Sequence, residues 1–192
     1  MSFIKVYHGT TSNHIDSLRT GIDFSKCDKH TDFGLGFYVT KDIEQAIKFA
    51  RFKCNKHNKK EQNKQQKYSS YKPKLVAATV CVYKLDLKAV QNLKTYIFDQ
   101  ADDNWRYFIY NNRIGEEKLS CSAGFNQSVP PRYDYVEGPL ADGNMADIEL
   151  VKFGLMSEEE FLLQIVPIGT QISVHSEKAK KCLQLEEVFY VK

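Results

Sequence analysis

The chain has 192 residues, 42% hydrophobic and 27% charged, which suits one domain with a buried core and is too rich in aliphatic and aromatic side chains for a disordered chain. No apolar run reaches the roughly 18 residues of a membrane span, and the opening MSFIKVYHGTTS lacks the apolar stretch of a secretory signal, so the expectation is a single domain, 1–192, in the cytoplasm and without a membrane partner. The net charge of +3 is uneven: residues 51–74 hold nine Lys or Arg against one Glu and the other 168 residues sum to −5, an acidic body with one basic insert and not a generally basic nucleic-acid binder.

Phe3-Ile4-Lys5-Val6-Tyr7 alternates and is β-rich, which predicts a strand ended by His8-Gly9-Thr10-Thr11-Ser12. Ser12 or Asn13 is placed to cap a short helix over 14–18, and Gly21 to stop it. Residues 22–35 read as loop, and 37–40 as a short strand. Thr40 or Asp42 caps the next helix, whose stripe is Ile43, Ala46, Ile47 and Ala50. That helix runs into the basic insert, read as a solvated helix end and loop that the fold can spare, with a role in holding an anionic partner as the other reading.

The apolar run 75–83 predicts a buried central strand. A helix follows over 99–112 with Trp105, Phe108 and Ile109 on one face, then a Gly/Ser/Asn/Pro-rich loop at 115–131. Residues 133–137 form a strand ended by Gly138-Pro139. Ser157 to Glu160 has the form of a cap before helical Phe161, Leu162 and Ile165. A strand at 170–175, a short helix at 176–183 and a strand at 187–191 complete roughly six strands interspersed with helices.

The common chemical fingerprints are missing from the sequence. There is no dinucleotide or phosphate-loop glycine pattern, no G-x-S-x-G, and no paired-histidine metal spacing. The five cysteines are scattered and odd in number, which argues against a disulfide framework and a thiolate metal site. Two punctuated strands remain. His8-Gly9-Thr10 presents an imidazole beside backbone that a flat ligand can approach. Gly34-Leu35-Gly36-Phe37-Tyr38-Val39-Thr40 turns sharply into an aromatic strand. Taken singly, His8 is a strand-end histidine, Tyr38 a half-buried strand aromatic, Phe49 a helix-face residue and Gln171 a surface strand residue.

Together these segments resemble the ADP-ribosyltransferase fold, in the branch of diphtheria toxin and the poly-ADP-ribose polymerases. The closer likeness is to an uncharacterised bacterial group of that fold with four segments in order: Tyr-His-Gly at 7–9, Asp-Phe-Gly-x-Gly-Phe-Tyr-x-Thr at 32–40, Tyr-Asp-x-Val-x-Gly-Pro-x-Ala-Asp at 133–142, and Gln-Ile-x-Val-His at 171–175. The resemblance implies an α+β fold with a split, mostly antiparallel sheet. It implies NAD as substrate, no metal, and transfer of one ADP-ribose to a protein or nucleic-acid acceptor. The resemblance leaves out the basic insert; from its charge alone, nucleic-acid binding through 51–74 is a separate rival reading that could coexist with transfer.

By the same resemblance, His8, Tyr38 and Gln171 are the catalytic positions. His8, Gly9, Thr10, Gly36, Tyr38 and Phe49 bind the dinucleotide, with Tyr38 and Phe49 stacking the nicotinamide and Gly9 backbone clamping its amide. Gln171 stands where many members carry a glutamate on the nicotinamide ribose. That departure raises three expectations: Gln171→Glu increases NAD cleavage; Asp134, Asp142 or Glu177 supplies the missing charge; or the protein hydrolyses or merely binds NAD.

Overall fold

The computed structural model describes residues 2–114, 132–142 and 145–192. In chain order the strands are β1 (Phe3–Thr11), β2 (Phe37–Val39), β3 (Ala78–Asp86), β4 (Thr95–Ile97), β5 (Tyr135–Ala141), β6 (Pro167–Val174) and β7 (Leu183–Tyr190). The α-helices are α1 (Ile15–Thr20), α2 (Ile43–Lys67), α3 (Leu87–Val90), α4 (Asp103–Ile114), α5 (Met145–Lys152), α6 (Glu158–Gln164) and α7 (Glu177–Lys180). The protein is α+β, with antiparallel-rich sheets. Among the described residues no helix is long and apolar enough to cross a membrane. The chain forms two compact units, each assembled from separate stretches.

The first unit comprises Met1–Ser2, Asp23–Tyr38 and Asp86–Cys182. Its sheet runs β2-β6-β5-β4, with β5 antiparallel to β6 and parallel to β4. Packed on it is an aromatic core containing Phe33, Phe98, Trp105, Phe108, Ile109, Val136 and Phe161. Phe98 and Phe108 meet edge to face at 5.0 Å, a geometry that adds to the roughly 1.5–3 kcal/mol from burying each such side chain. Asp102 starts α4 by accepting from the Trp105 amide (2.9 Å), and Trp105 Nε1 donates to the Pro139 carbonyl (3.0 Å). The expected cap before α6 is a full capping box between Ser157 and Glu160.

The second unit comprises Phe3–Ile22, Val39–Leu85 and Leu183–Lys192. Its sheet is β1-β3-β7, with β3 antiparallel to β7 from Thr79↔Tyr190 to Leu85↔Leu183. Asp42 caps α2 through the Glu44 and Gln45 amides, and the helix buries Ala46 and Ala50 against Ala78 and Val80. Small side chains let helix and sheet approach closely here.

Several boundaries differ from the sequence reading. β1 does not stop at Tyr7; it continues through His8, Gly9 and Thr10 to Thr11. Neither Ser12 nor Asn13 caps the helix of 15–20 by a side-chain bond, since Asn13 Oδ1 takes the Thr11 hydroxyl instead. β5 runs on through Gly138-Pro139 because β4 ends opposite Glu137, leaving the proline on an unpaired side of the strand where its missing N–H costs nothing. Gly138 is required there: a Cβ would lie 2.9 Å from the Phe98 Cβ. β4, α3 and α5, none expected, are short elements. The loop predicted at 115–131 lies outside the described residues.

The basic insert is mostly helix. α2 reaches Lys67, and the returning segment is bonded to it. Asn58 pairs both ways with Val76, Nδ2 to its carbonyl and its amide to Oδ1 (2.9 Å each). His57 Nε2 meets the Lys74 carbonyl at 2.9 Å, and Glu61 takes the Tyr71 hydroxyl (2.5 Å) and the Lys74 amide (3.0 Å). The expectation of a solvated helix end and loop is corrected in this respect: the last part of the insert is a bonded return, held by Asn58, His57 and Glu61.

Candidate functional site

In the first unit the centre is Asp32, a buried carboxylate that the sequence reading left without a role. Arg113, at the end of α4, reaches Oδ1 through Nε (3.0 Å) and Nη2 (2.7 Å). Oδ2 accepts from the Ala141 amide (3.1 Å) and from Gln171 Nε2 (2.7 Å). Four donors satisfy the carboxylate, while Arg113 Nη1 is buried without a hydrogen-bond partner among the described residues; removing one member of such a buried pair is costly. One loop, one helix and two neighbouring strands are tied at a single carboxylate.

Gln171 is consequently buried, at 6% exposure, and is not a surface strand residue. Its amide nitrogen also lies 3.3 Å from the Pro139 carbonyl, so it is engaged inside the unit. The carboxylates expected to substitute for it are engaged as well. Asp134 accepts from the Lys94 amide at 3.0 Å, Glu177 pairs with Lys180 at 2.7 Å, and Asp142 is exposed after β5.

Gly36 faces the fourth segment. A Cβ at this position would lie 2.8 Å from the His175 ring and 2.9 Å from the Val174 carbonyl, so close packing dictates glycine. His175 is buried between the Leu35 carbonyl at Nδ1 and the Ser173 hydroxyl at Nε2, 2.8 Å each. A carbonyl can only accept, so Nδ1 carries a proton. Burial lowers its pKa to about 4 against the help of the Leu35 bond.

Tyr38 offers a half-buried ring whose hydroxyl is tucked in. The hydroxyl accepts from the Phe33 amide (2.9 Å) and donates to the Gly34 carbonyl (2.7 Å), and Thr31 Oγ1 is 2.8 Å away. Burial raises its pKa well above the ordinary tyrosine value. Tyr38 thus pins the turn at 31–34, where Gly34 takes φ of 78°.

In the second unit, His8 is half-buried within β1, while Gly9 and Thr10 are buried. Gly9 is explained by packing: a Cβ there would sit 2.2 Å from the Ala46 carbonyl oxygen and 2.9 Å from the Ala50 nitrogen, so α2 fills the space that the sequence reading left for a ligand. Tyr7 and Thr40 exchange backbone bonds (2.8 and 2.9 Å), which sets the first segment beside the end of the second. Phe49 is half-exposed on α2, its ring 6.5 Å from Phe52 with Lys53 Nζ 4.6 Å over its face.

Asp32 and Arg113 were missed. The available signal was an arginine following Trp105, Phe108, Ile109 and Asn112 on an otherwise buried helix face, which demands a buried anion. No curated protein and no solved structure matches the chain. A family model described as "Protein of unknown function (DUF3990)" matches residues 4–185 and so takes in all four segments joined by these contacts. The chain belongs to the DUF3990 family.

Proposed function

We propose that this protein transfers a single ADP-ribose from NAD to a macromolecular acceptor and releases nicotinamide. One observation supports the reading: the four segments that carry the resemblance are bonded to one another within their units. Tyr7 pairs with Thr40, Asp32 binds Ala141 and Gln171, and His175 lies against Gly36.

In the reaction the bond from nicotinamide nitrogen to ribose breaks, its electron pair leaves with nicotinamide, and the acceptor nucleophile takes the cationic sugar. The Tyr38 ring offers the face on which the flat nicotinamide stacks. In the second unit half-buried His8 is the residue suited to bond a ribose hydroxyl, while buried Gly9 serves the packing of α2. Gly36 and Gln171 act on this account by positioning: Gly36 admits His175, and Gln171 fixes Asp32. A binding module without turnover is the second reading, favoured because the Gln171 amide nitrogen is taken up by Asp32.

Incubation with NAD labelled on the adenine side and cell lysate tests this. Label on protein or nucleic acid is expected; free ADP-ribose makes water the acceptor, and intact bound NAD leaves the module. Tyr38→Ala should weaken NAD binding roughly ten- to a hundredfold by calorimetry. Tyr38→Phe should keep affinity within a few-fold while losing about 1 kcal/mol of stability with its hydroxyl bonds. Equal affinity in both variants and the wild type removes Tyr38 from the site.

A further inference from the structure

We propose that the exposed face of α2 is a docking surface for single-stranded nucleic acid. The inference concerns binding only and stands without the transfer reading. Lys56, Lys59, Lys60, Lys64 and Lys67 line one open depression of about 480 Å³ together with Tyr68. Lys56, Lys60, Lys64 and Lys67 recur every three or four residues, which puts them on one helix face with Lys59 beside it. Phe52, 60% exposed, continues this face toward the helix start, and Tyr68, 56% exposed, closes it just past the helix end. At 1.5 Å per residue the stripe from 52 to 68 is roughly 24 Å long.

Apart from Lys64, paired with Glu61, the charge on this face is uncompensated within its own segment. The one acid of 51–74, Glu61, points inward at 5% exposure and holds Tyr71, Lys74 and Lys64. Lysines four apart repel and weaken an isolated helix, and this helix tolerates them because Asn58, His57 and Glu61 bond its other side to the return segment.

The occupant follows from two features. A row of ammonium groups calls for a polyanion with repeated charges. Exposed aromatics at both ends of the row call for flat groups that can unstack and lie on them, which single-stranded bases offer and paired bases do not. Insertion into an anionic membrane needs the basic and apolar faces of a helix to be opposed. Here Phe52 shares the lysine face, while the apolar side, Ala46 and Ala50, is buried on the sheet.

The test is fluorescence anisotropy of the full chain without NAD. The probes are a mixed-sequence single strand of about 12 nucleotides, its duplex, and phosphatidylserine vesicles as competitor. The single strand should bind most tightly, with a log–log salt slope of roughly −3 for the four lysines other than Lys64. Lys56→Gln, Lys60→Gln and Lys67→Gln combined should weaken binding at least tenfold near ~50 mM salt and flatten that slope. Phe52→Ser and Tyr68→Ser should each weaken it several-fold with the slope unchanged. All of these positions are exposed, and unchanged melting confirms that the variants fold. Binding of the duplex as tight as the single strand, preference for vesicles, or a triple variant that binds like the wild type each overturns the proposal.

Discussion

Gln171 shows how far a side chain's role depends on its partner. A glutamine that a resemblance sets where many ADP-ribosyltransferases carry a glutamate invites the expectation that Gln171→Glu restores a catalytic charge. In the structure its amide nitrogen lies 2.7 Å from an Asp32 oxygen, so the substitution exchanges a donor for a second carboxyl. We expect Gln171→Glu to lose about 2–4 kcal/mol of stability at neutral pH in urea titration. The introduced carboxyl would have its pKa raised by its neighbour, so the loss should grow as pH rises through the ordinary glutamate range and shrink below it. A loss that is the same at about pH 4 and pH 7 would mean that the two carboxyls do not share a proton. Asp32 itself was hidden because one residue letter carries no burial. Only the folded contact with Arg113 distinguishes it from a surface aspartate.

At the scale of elements, what could be read were periodic apolar stripes and local caps. Ile43, Ala46, Ile47 and Ala50 predict the start of α2, and Asp42 caps it as expected. Its second half could not be read in that way, because Asn58, His57 and Glu61 stabilise it through partners more than ten residues away. β5 was cut short for the opposite reason: Gly138-Pro139 is turn chemistry locally, and only the end of β4 makes it a strand. The bonded return makes a specific prediction. Asn58→Ala removes both bonds to Val76 and should cost about 1–3 kcal/mol, seen as faster amide exchange over 43–77. Exchange unchanged in this stretch would mean that the return segment holds without Asn58.

For the whole molecule, acid should act in two stages. His175 is neutral when folded, with a pKa lowered to about 4, so protonation favours the unfolded chain. Its contribution is complete above the free-histidine pKa of about 6.5 and is lost as pH falls toward 4. Glu61, held down to about 2 by Lys64, Tyr71 and Lys74, contributes above about 4.5 and loses this as pH falls toward 2. The single tryptophan, Trp105, lies in the core of the unit that contains His175 and reports its unfolding. Its unfolding free energy from urea titration should fall between about pH 6.5 and pH 4, by up to about 3 kcal/mol, and His175→Gln should flatten that stretch; a slope unchanged by the substitution would assign it to another group. The α+β class was legible from the alternation of strand and helix patterns, but the division into two units was not, because each gathers stretches far apart in sequence. The order β1-β3-β7 also has a consequence during synthesis on the ribosome. β3 emerges early and can pair with β1, but its other neighbour lies beyond all of residues 87–182. Until the last strand leaves the tunnel, the nascent chain carries an aliphatic strand with one bare hydrogen-bonding edge, and a stalled ribosome would leave that edge open to pairing with other chains.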